Sequence, residues 1–300
     1  MKYTLILAMA LFIQSSYAEW KEISFRKSKE IVYVPKNLKE KPKLIINLHG
    51  CVQKPEDMQN KEGFEEIAEQ KNIIVVFPRV PNGGKYLGCW DYYDVDHQRN
   101  NRDNQHLIEL TQELITRYKI ELDKIILMGL SSGGGQAITL ACLAPDYFQK
   151  IALIASPVLG SSVNDLSKNP KSAQEITNQC EKLSAQSNLE DTLKSNLKVS
   201  MIFSQKDRIL NPKQSLTTYE SLKQLINTDN ETELNLGSLG GKNTKGYGRV
   251  SYKEDIARIS IIMNEDMGHN YPAGFGENDS KFITSQSVLY TKYLIDFFKF

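Results

Sequence analysis

Apolar residues in this chain cluster in short runs, some of them unbroken, as at 73–77. Residues 43–48, 73–77, 125–128, 151–155, 199–203 and 259–263 are such runs, each of strand length and several stopped by Gly, Pro or Ser. Continuous apolar runs suit strands buried on both faces, as in a parallel sheet. Between them the pattern turns amphipathic. Residues 56–70 are polar with spaced apolar positions and predict a helix. From Asp103, a possible cap, Leu107, Leu110, Leu114, Ile115 and Tyr118 share one helical face. Residues 286–298 predict a closing amphipathic helix. The alternation predicts an α/β fold: a mostly parallel central sheet with helices on both faces. Residues 79–102 read as a long loop with Gly83-Gly84 and several aromatics. Residues 156–195 read as irregular with short helices, and the glycine-rich 237–248 as a mobile loop.

The first residues change the picture of the termini. Lys2 is a charged leader, 5–13 an apolar core too short to span a bilayer, and Ser16-Tyr17-Ala18 a small-residue cleavage site. Residues 1–18 therefore read as a secretory signal and 19–300 as a single catalytic domain. No cysteine follows the apolar core, so no lipid or membrane anchor is expected. The protein is expected to be secreted, either to the periplasm or outside the cell. A net charge of +1 gives no electrostatic case for nucleic acid or an anionic membrane. Four cysteines (Cys51, Cys89, Cys142 and Cys180) suit disulfides in an oxidising compartment, with three possible connectivities. Cys142 reads equally well as a small buried residue of an apolar helix.

The chemistry is most legible at 129–133. Gly129-Leu130-Ser131-Ser132-Gly133 follows an apolar run and precedes a helix-like segment, which is the strand-turn-helix setting of a nucleophile elbow. The glycines are expected to permit a tight turn, some with positive φ. A serine hydroxyl needs a base to take its proton and a carboxylate to hold that base's tautomer. His269 follows the last apolar run in Gly268-His269-Asn270-Tyr271-Pro272 and is the expected base. Asp207 follows the run at 199–203 and is the expected acid; Glu265 and Asp266 are rivals too close in sequence to His269. The order Ser131, Asp207, His269 is that of α/β-hydrolases. The oxyanion is expected to be bound by the amides of Ser132 and of Cys51, which lies in the loop after Leu48. His49 reads as structural. No cluster has metal-ligand spacing, so neither metal nor cofactor is expected.

Together, Leu48-His49-Gly50-Cys51 with Gln53, Cys89-Trp90, Gln98-Arg99, the serine elbow running on to Gly134, and Gly268-His269 with Pro272 resemble the secreted poly(3-hydroxybutyrate) depolymerase-like esterases, which include feruloyl and acetylxylan esterases. The resemblance covers roughly residues 31–274. It implies an α/β-hydrolase fold and a serine esterase that acts on a small, oligomeric or polymeric ester. It also implies Ser131, His269 and Asp207 as nucleophile, base and acid. The chain departs from the family pattern after His269, where Tyr271, Pro272 and Ala273 replace the usual Trp-Pro-Gly, and before the acid, where Ser204-Gln205 replaces His-Gly. These changes touch the pocket and leave the substrate open. No granule-docking domain is visible, which favours soluble or amorphous esters. Cys51 and Cys89 flank the expected site and are expected to pair, with Cys142 and Cys180 as the remainder. Trp90, Tyr92, Tyr93 and Tyr271 are expected to line an acyl groove, although Trp90 can equally pack under its own loop. The competing readings are a serine peptidase on the same fold and a non-catalytic binding protein.

Overall fold

The computed structural model describes residues 19–275 and 279–300. The expected signal segment, 1–18, lies outside them. The main strands are β1 (Glu19–Phe25), β2 (Ser28–Val34), β3 (Lys43–Leu48), β4 (Ile73–Phe77), β5 (Ile125–Leu130), β6 (Lys150–Ile154), β7 (Lys198–Phe203), β8 (Asn230–Leu234), β9 (Gly246–Lys253) and β10 (Ile256–Asn264). They form one sheet in the order β1-β2-β4-β3-β5-β6-β7-β10-β9-β8. The six apolar runs are its six central strands, and every pair among them is parallel. The two strands at each margin are antiparallel. A small parallel pair, β11 (Tyr271–Pro272) and β12 (Ile283–Thr284), lies apart.

The helices are α1 (Pro55–Met58), α2 (Phe64–Lys71), α3 (Arg102–Tyr118), α4 (Ser132–Leu143), α5 (Ala173–Ala185), α6 (Glu190–Asn196), α7 (Lys213–Ile226) and α8 (Tyr290–Phe298). The sheet separates two cores. One gathers Leu107 and Leu114 of α3, Ile138 and Leu140 of α4, Ile176 of α5 and Leu222 of α7 against Leu44, Leu127 and Val199. The other packs Phe64 and Ala68 of α2 and Leu294 and Ile295 of α8 on Val75, Ile126 and Ile262. Helices thus cover both faces because alternate residues of each central strand point to opposite sides.

Several boundaries differ from the sequence reading. The helix expected over 56–70 is broken in two, with Asn60 and Gly63 at φ 61° and 73° between the pieces. The closing helix begins at Tyr290. Inside the region read as irregular, α5 runs for thirteen residues. Its Ser172 and Glu175 form a reciprocal cap, each side chain bonding the other's backbone amide. The glycine-rich 237–248 is tied to the body: Gly241 bridges to Val288, Leu289 N–H donates to Gly240 O, and β9 begins at Gly246. Among the described residues, no helix is long and apolar enough to cross a membrane.

Candidate active site

Ser131 occupies the single residue between β5 and α4, with φ 55° and ψ −117°. A non-glycine residue there is held against its preference by its surroundings. Its amide donates to Ile154 O at 2.9 Å and its carbonyl accepts from Gly135 N at 3.0 Å. The turn is as tight as the flanking glycines suggested, but the positive φ belongs to the serine and not to them. A Cβ on Gly129 would lie 2.4 Å from the carbonyl carbon of Gly133, and one on Gly133 would lie 2.3 Å from Leu48 O. They let strand and helix backbones touch. Ser132 opens α4, so its N–H has no intrahelical partner.

Asp207 follows β7 and His269 follows β10. His269 Nδ1 lies 2.6 Å from Asp207 Oδ2, and the two side chains are 8 % and 2 % exposed. Asp207 Oδ1 accepts the amides of Ile209 and Leu210, both at 2.8 Å. Ser204 Oγ donates to Glu265 O at 2.7 Å and accepts from Lys206 N, joining the acid loop to the histidine loop. Of the rival carboxylates, Asp266 pairs with Lys206 and Glu265 lies 3.9 Å from the same ammonium, so both are engaged away from His269.

Ser131 and His269 open on one cavity of about 290 Å³, which also touches Cys51, Gln53, Tyr93 and Phe282. Its remaining walls include Val52, Tyr86, Leu87, Leu166 and Ile209; among the described residues, no side chain of Asp, Glu, Lys or Arg lines it. A larger cleft of about 700 Å³ between α2 and α8 holds none of these catalytic candidates. The loop after β3 is held from two sides. Cys51 is disulfide-bonded to Cys89, and Val52 N–H donates to Leu87 O at 2.9 Å. Cys142 of α4 is bonded to Cys180 of α5.

The aromatic groove requires a correction. Trp90 and Tyr271 are fully buried and line no part of the cavity. Trp90 Nε1 donates to His49 O at 3.0 Å, propping the loop from below. Tyr271 packs on Phe64 and its hydroxyl pairs with Thr291 at 2.7 Å, inside the core under α8. Tyr92 is likewise buried, and of the four aromatics only Tyr93 reaches the cavity. His49 is structural, as expected: Nδ1 donates to Gly50 O at 2.8 Å and Nε2 accepts from Val80 N at 3.4 Å. Burial pushes its pKa down, which keeps the ring neutral. The sequence reading overlooked Phe282, whose ring meets that of His269 edge-on at 6.2 Å. It also overlooked the apolar rim of Val52, Tyr86, Leu87 and Ile209. These come from separate loops, and no local pattern marks them. Among the described residues, no group of three or more His, Cys, Asp and Glu side chains is placed to hold a metal ion.

Residues 28–174 match the family described as "Esterase PHB depolymerase". That span contains Ser131 but neither Asp207 nor His269; the fold sets His269 on the cavity that Ser131 lines, with Asp207 against the far side of its ring. The poly(3-hydroxybutyrate) depolymerase of Ralstonia pickettii is 26 % identical over 264 residues, covering 85 % of this chain and 53 % of that protein. A probable acetylxylan esterase A of Aspergillus clavatus is 30 % identical over 120 residues, 39 % of this chain and 38 % of that one. The chain thus spans about half the length, or less, of these curated relatives. Among solved structures, an acetyl xylan esterase from Aspergillus awamori superposes with a TM-score of 0.70 at 14 % identity, covering 94 % of this chain and 99 % of that one.

Proposed function

The chain belongs to the polyhydroxybutyrate depolymerase-like esterases, with the α/β-hydrolase fold, and from that premise we propose that it is a secreted serine carboxylesterase. The carrying observation is the 2.6 Å contact of His269 Nδ1 with Asp207 Oδ2, on the cavity that Ser131 enters from a positive-φ turn. Ser131 Oγ attacks the ester carbonyl while His269 Nε2 takes its proton. Asp207 accepts from Nδ1–H, fixing the tautomer that leaves Nε2 free and stabilising the imidazolium. The amides of Cys51 and Ser132 bind the oxyanion. The tetrahedral adduct collapses, the alcohol leaves with the proton held on His269, and Ser131 keeps the acyl group. Water, activated by the same imidazole, then releases the acid.

The cavity supports a neutral acyl group. Among the described residues no Asp, Glu, Lys or Arg side chain lines its walls, and its 290 Å³ lies at the small end of ligand pockets. Short aliphatic acyl groups fit this description best. Two disulfides support an oxidising, extracytoplasmic compartment. The test is hydrolysis of p-nitrophenyl acetate, butyrate and octanoate by the protein and by Ser131→Ala. Turnover of the two shorter esters, abolished in the variant, is expected. Equal rates in both proteins would overturn the assignment.

A further inference from the structure

The loop that carries Cys51 is also held by a side chain with no assigned role. Gln53 is 4 % exposed at the cavity floor. Its Oε1 accepts from Gly50 N–H at 2.8 Å, and its Nε2 donates to Lys281 O at 3.0 Å, 228 residues away. The amide's orientation follows from its partners, since reversing it would set NH2 against N–H and oxygen against oxygen. Lys281 precedes Phe282, whose ring edges His269 and whose carbonyl accepts from Tyr271 N–H at 2.7 Å. Gly50 itself packs on the elbow: a Cβ there would lie 3.5 Å from both Leu130 O and Ser131 Cβ.

We infer that Gln53 is a positioning residue that locks the Cys51 amide in register with the histidine loop. This rests on the esterase reading above. The disulfide and the bond from Val52 N–H to Leu87 O hold the loop on its Cys89 side. On the His269 side, the exposed ammonium of Lys281 reaches Val52 O, where water competes for it. Gln53, itself buried, makes the tie there, and among the described residues it joins Gly50, the residue preceding Cys51, to Lys281. Without it Gly50 N–H loses its acceptor and the loop can rotate, so the Cys51 amide no longer meets the oxygen as it becomes charged. That interaction strengthens in the transition state, so its loss falls on kcat.

The experiment compares wild type, Gln53→Ala and Gln53→Glu on p-nitrophenyl butyrate, with rates normalised to sites titrated by a fluorophosphonate. Gln53→Ala should lose about 10- to 100-fold in kcat per titrated site, less than the roughly 10²- to 10³-fold cost of deleting an oxyanion donor, with KM nearly unchanged. Gln53→Glu keeps the acceptor for Gly50 but sets a carboxylate against Lys281 O; it should fall between the two. If Gln53→Ala yields no folded protein, the Glu variant alone decides. Unchanged kcat per titrated site would overturn the inference, as would a loss confined to KM, which marks a substrate contact. Wild type and Ser131→Ala run alongside. If wild type shows no Ser131-dependent turnover, the esterase reading fails, which is a different outcome from an active wild type whose Gln53 variants match it.

Discussion

His269 and Asp207 stand 62 residues apart in the chain and meet with Nδ1 2.6 Å from Oδ2. The other carboxylate oxygen is fully occupied by the amides of Ile209 and Leu210. Each oxygen of Asp207 therefore has a separate task, one shaping its own turn and one orienting the imidazole.

That division predicts how Asp207→Asn should behave. The amide oxygen can keep both backbone bonds, so the fold is retained. The NH2 group then faces Nδ1, forcing the tautomer in which Nε2 carries the proton and cannot accept another. Activity per titrated site should fall about 10⁴-fold while the thermal midpoint barely moves. Asp207→Ala should lose activity and also stability, because two amides lose their acceptor. Kinetics paired with thermal unfolding of both variants checks this.

At the elbow, close approach and positive φ can be separated. Gly133→Ala drives a methyl group to 2.3 Å from Leu48 O and 2.8 Å from His49 O. Neither carbonyl can yield without shifting β3, so the cost should be about 3 kcal/mol or more. Gly83 has a φ of +75°, but a methyl group added there would meet nothing within 4 Å. Gly83→Ala should cost only about 1 kcal/mol. Denaturant unfolding of the two variants gives the comparison directly.

Much of this was legible in the sequence because the six central strands are apolar on both faces and end at the chemistry. The outer strands were not. Four of the five residues of β8 are exposed, so no apolar alternation marks it. The elbow motif located Ser131, yet which residue carries the positive φ depends on how closely α4 approaches β3. Trp90 and Tyr271 flank motif residues, but adjacency in the chain does not say which side of the loop a ring takes; both turned inward. The cavity rim is made where Val52, Leu87 and Ile209 converge from distant loops, a relation no local window contains.

The disulfides offer a controlled comparison, since both span 38 residues. In the chain-entropy model each should contribute about 4 kcal/mol. Cys51→Ala/Cys89→Ala and Cys142→Ala/Cys180→Ala should therefore lower the unfolding midpoint by similar amounts. Only the first pair should also lower kcat per titrated site, because it frees the loop whose amide we propose as an oxyanion donor. Equal kcat in the two double variants would remove the Cys51–Cys89 bridge from the catalytic argument.

Glu62 predicts a pH dependence of stability apart from catalysis. It is wholly buried, accepts a hydrogen bond from Asn47 Nδ2, and has Glu65 and Tyr271 as its titratable neighbours. Burial raises its pKa well above the ordinary carboxylate range, outweighing the Asn47 bond. The fold therefore keeps the proton that the unfolded chain releases. Its contribution to stability is complete below the ordinary carboxylate range and declines as pH rises toward the elevated value, by up to about 1.4 kcal/mol per pH unit. Glu62→Gln keeps the size and the acceptor for Asn47 and removes the titration. The variant should match wild type near pH 4 and exceed it in unfolding free energy at pH 7, with the difference widening as pH climbs. Denaturant titrations at pH 4, 5.5 and 7 measure this, and parallel curves for the two proteins would show that Glu62 does not set the slope.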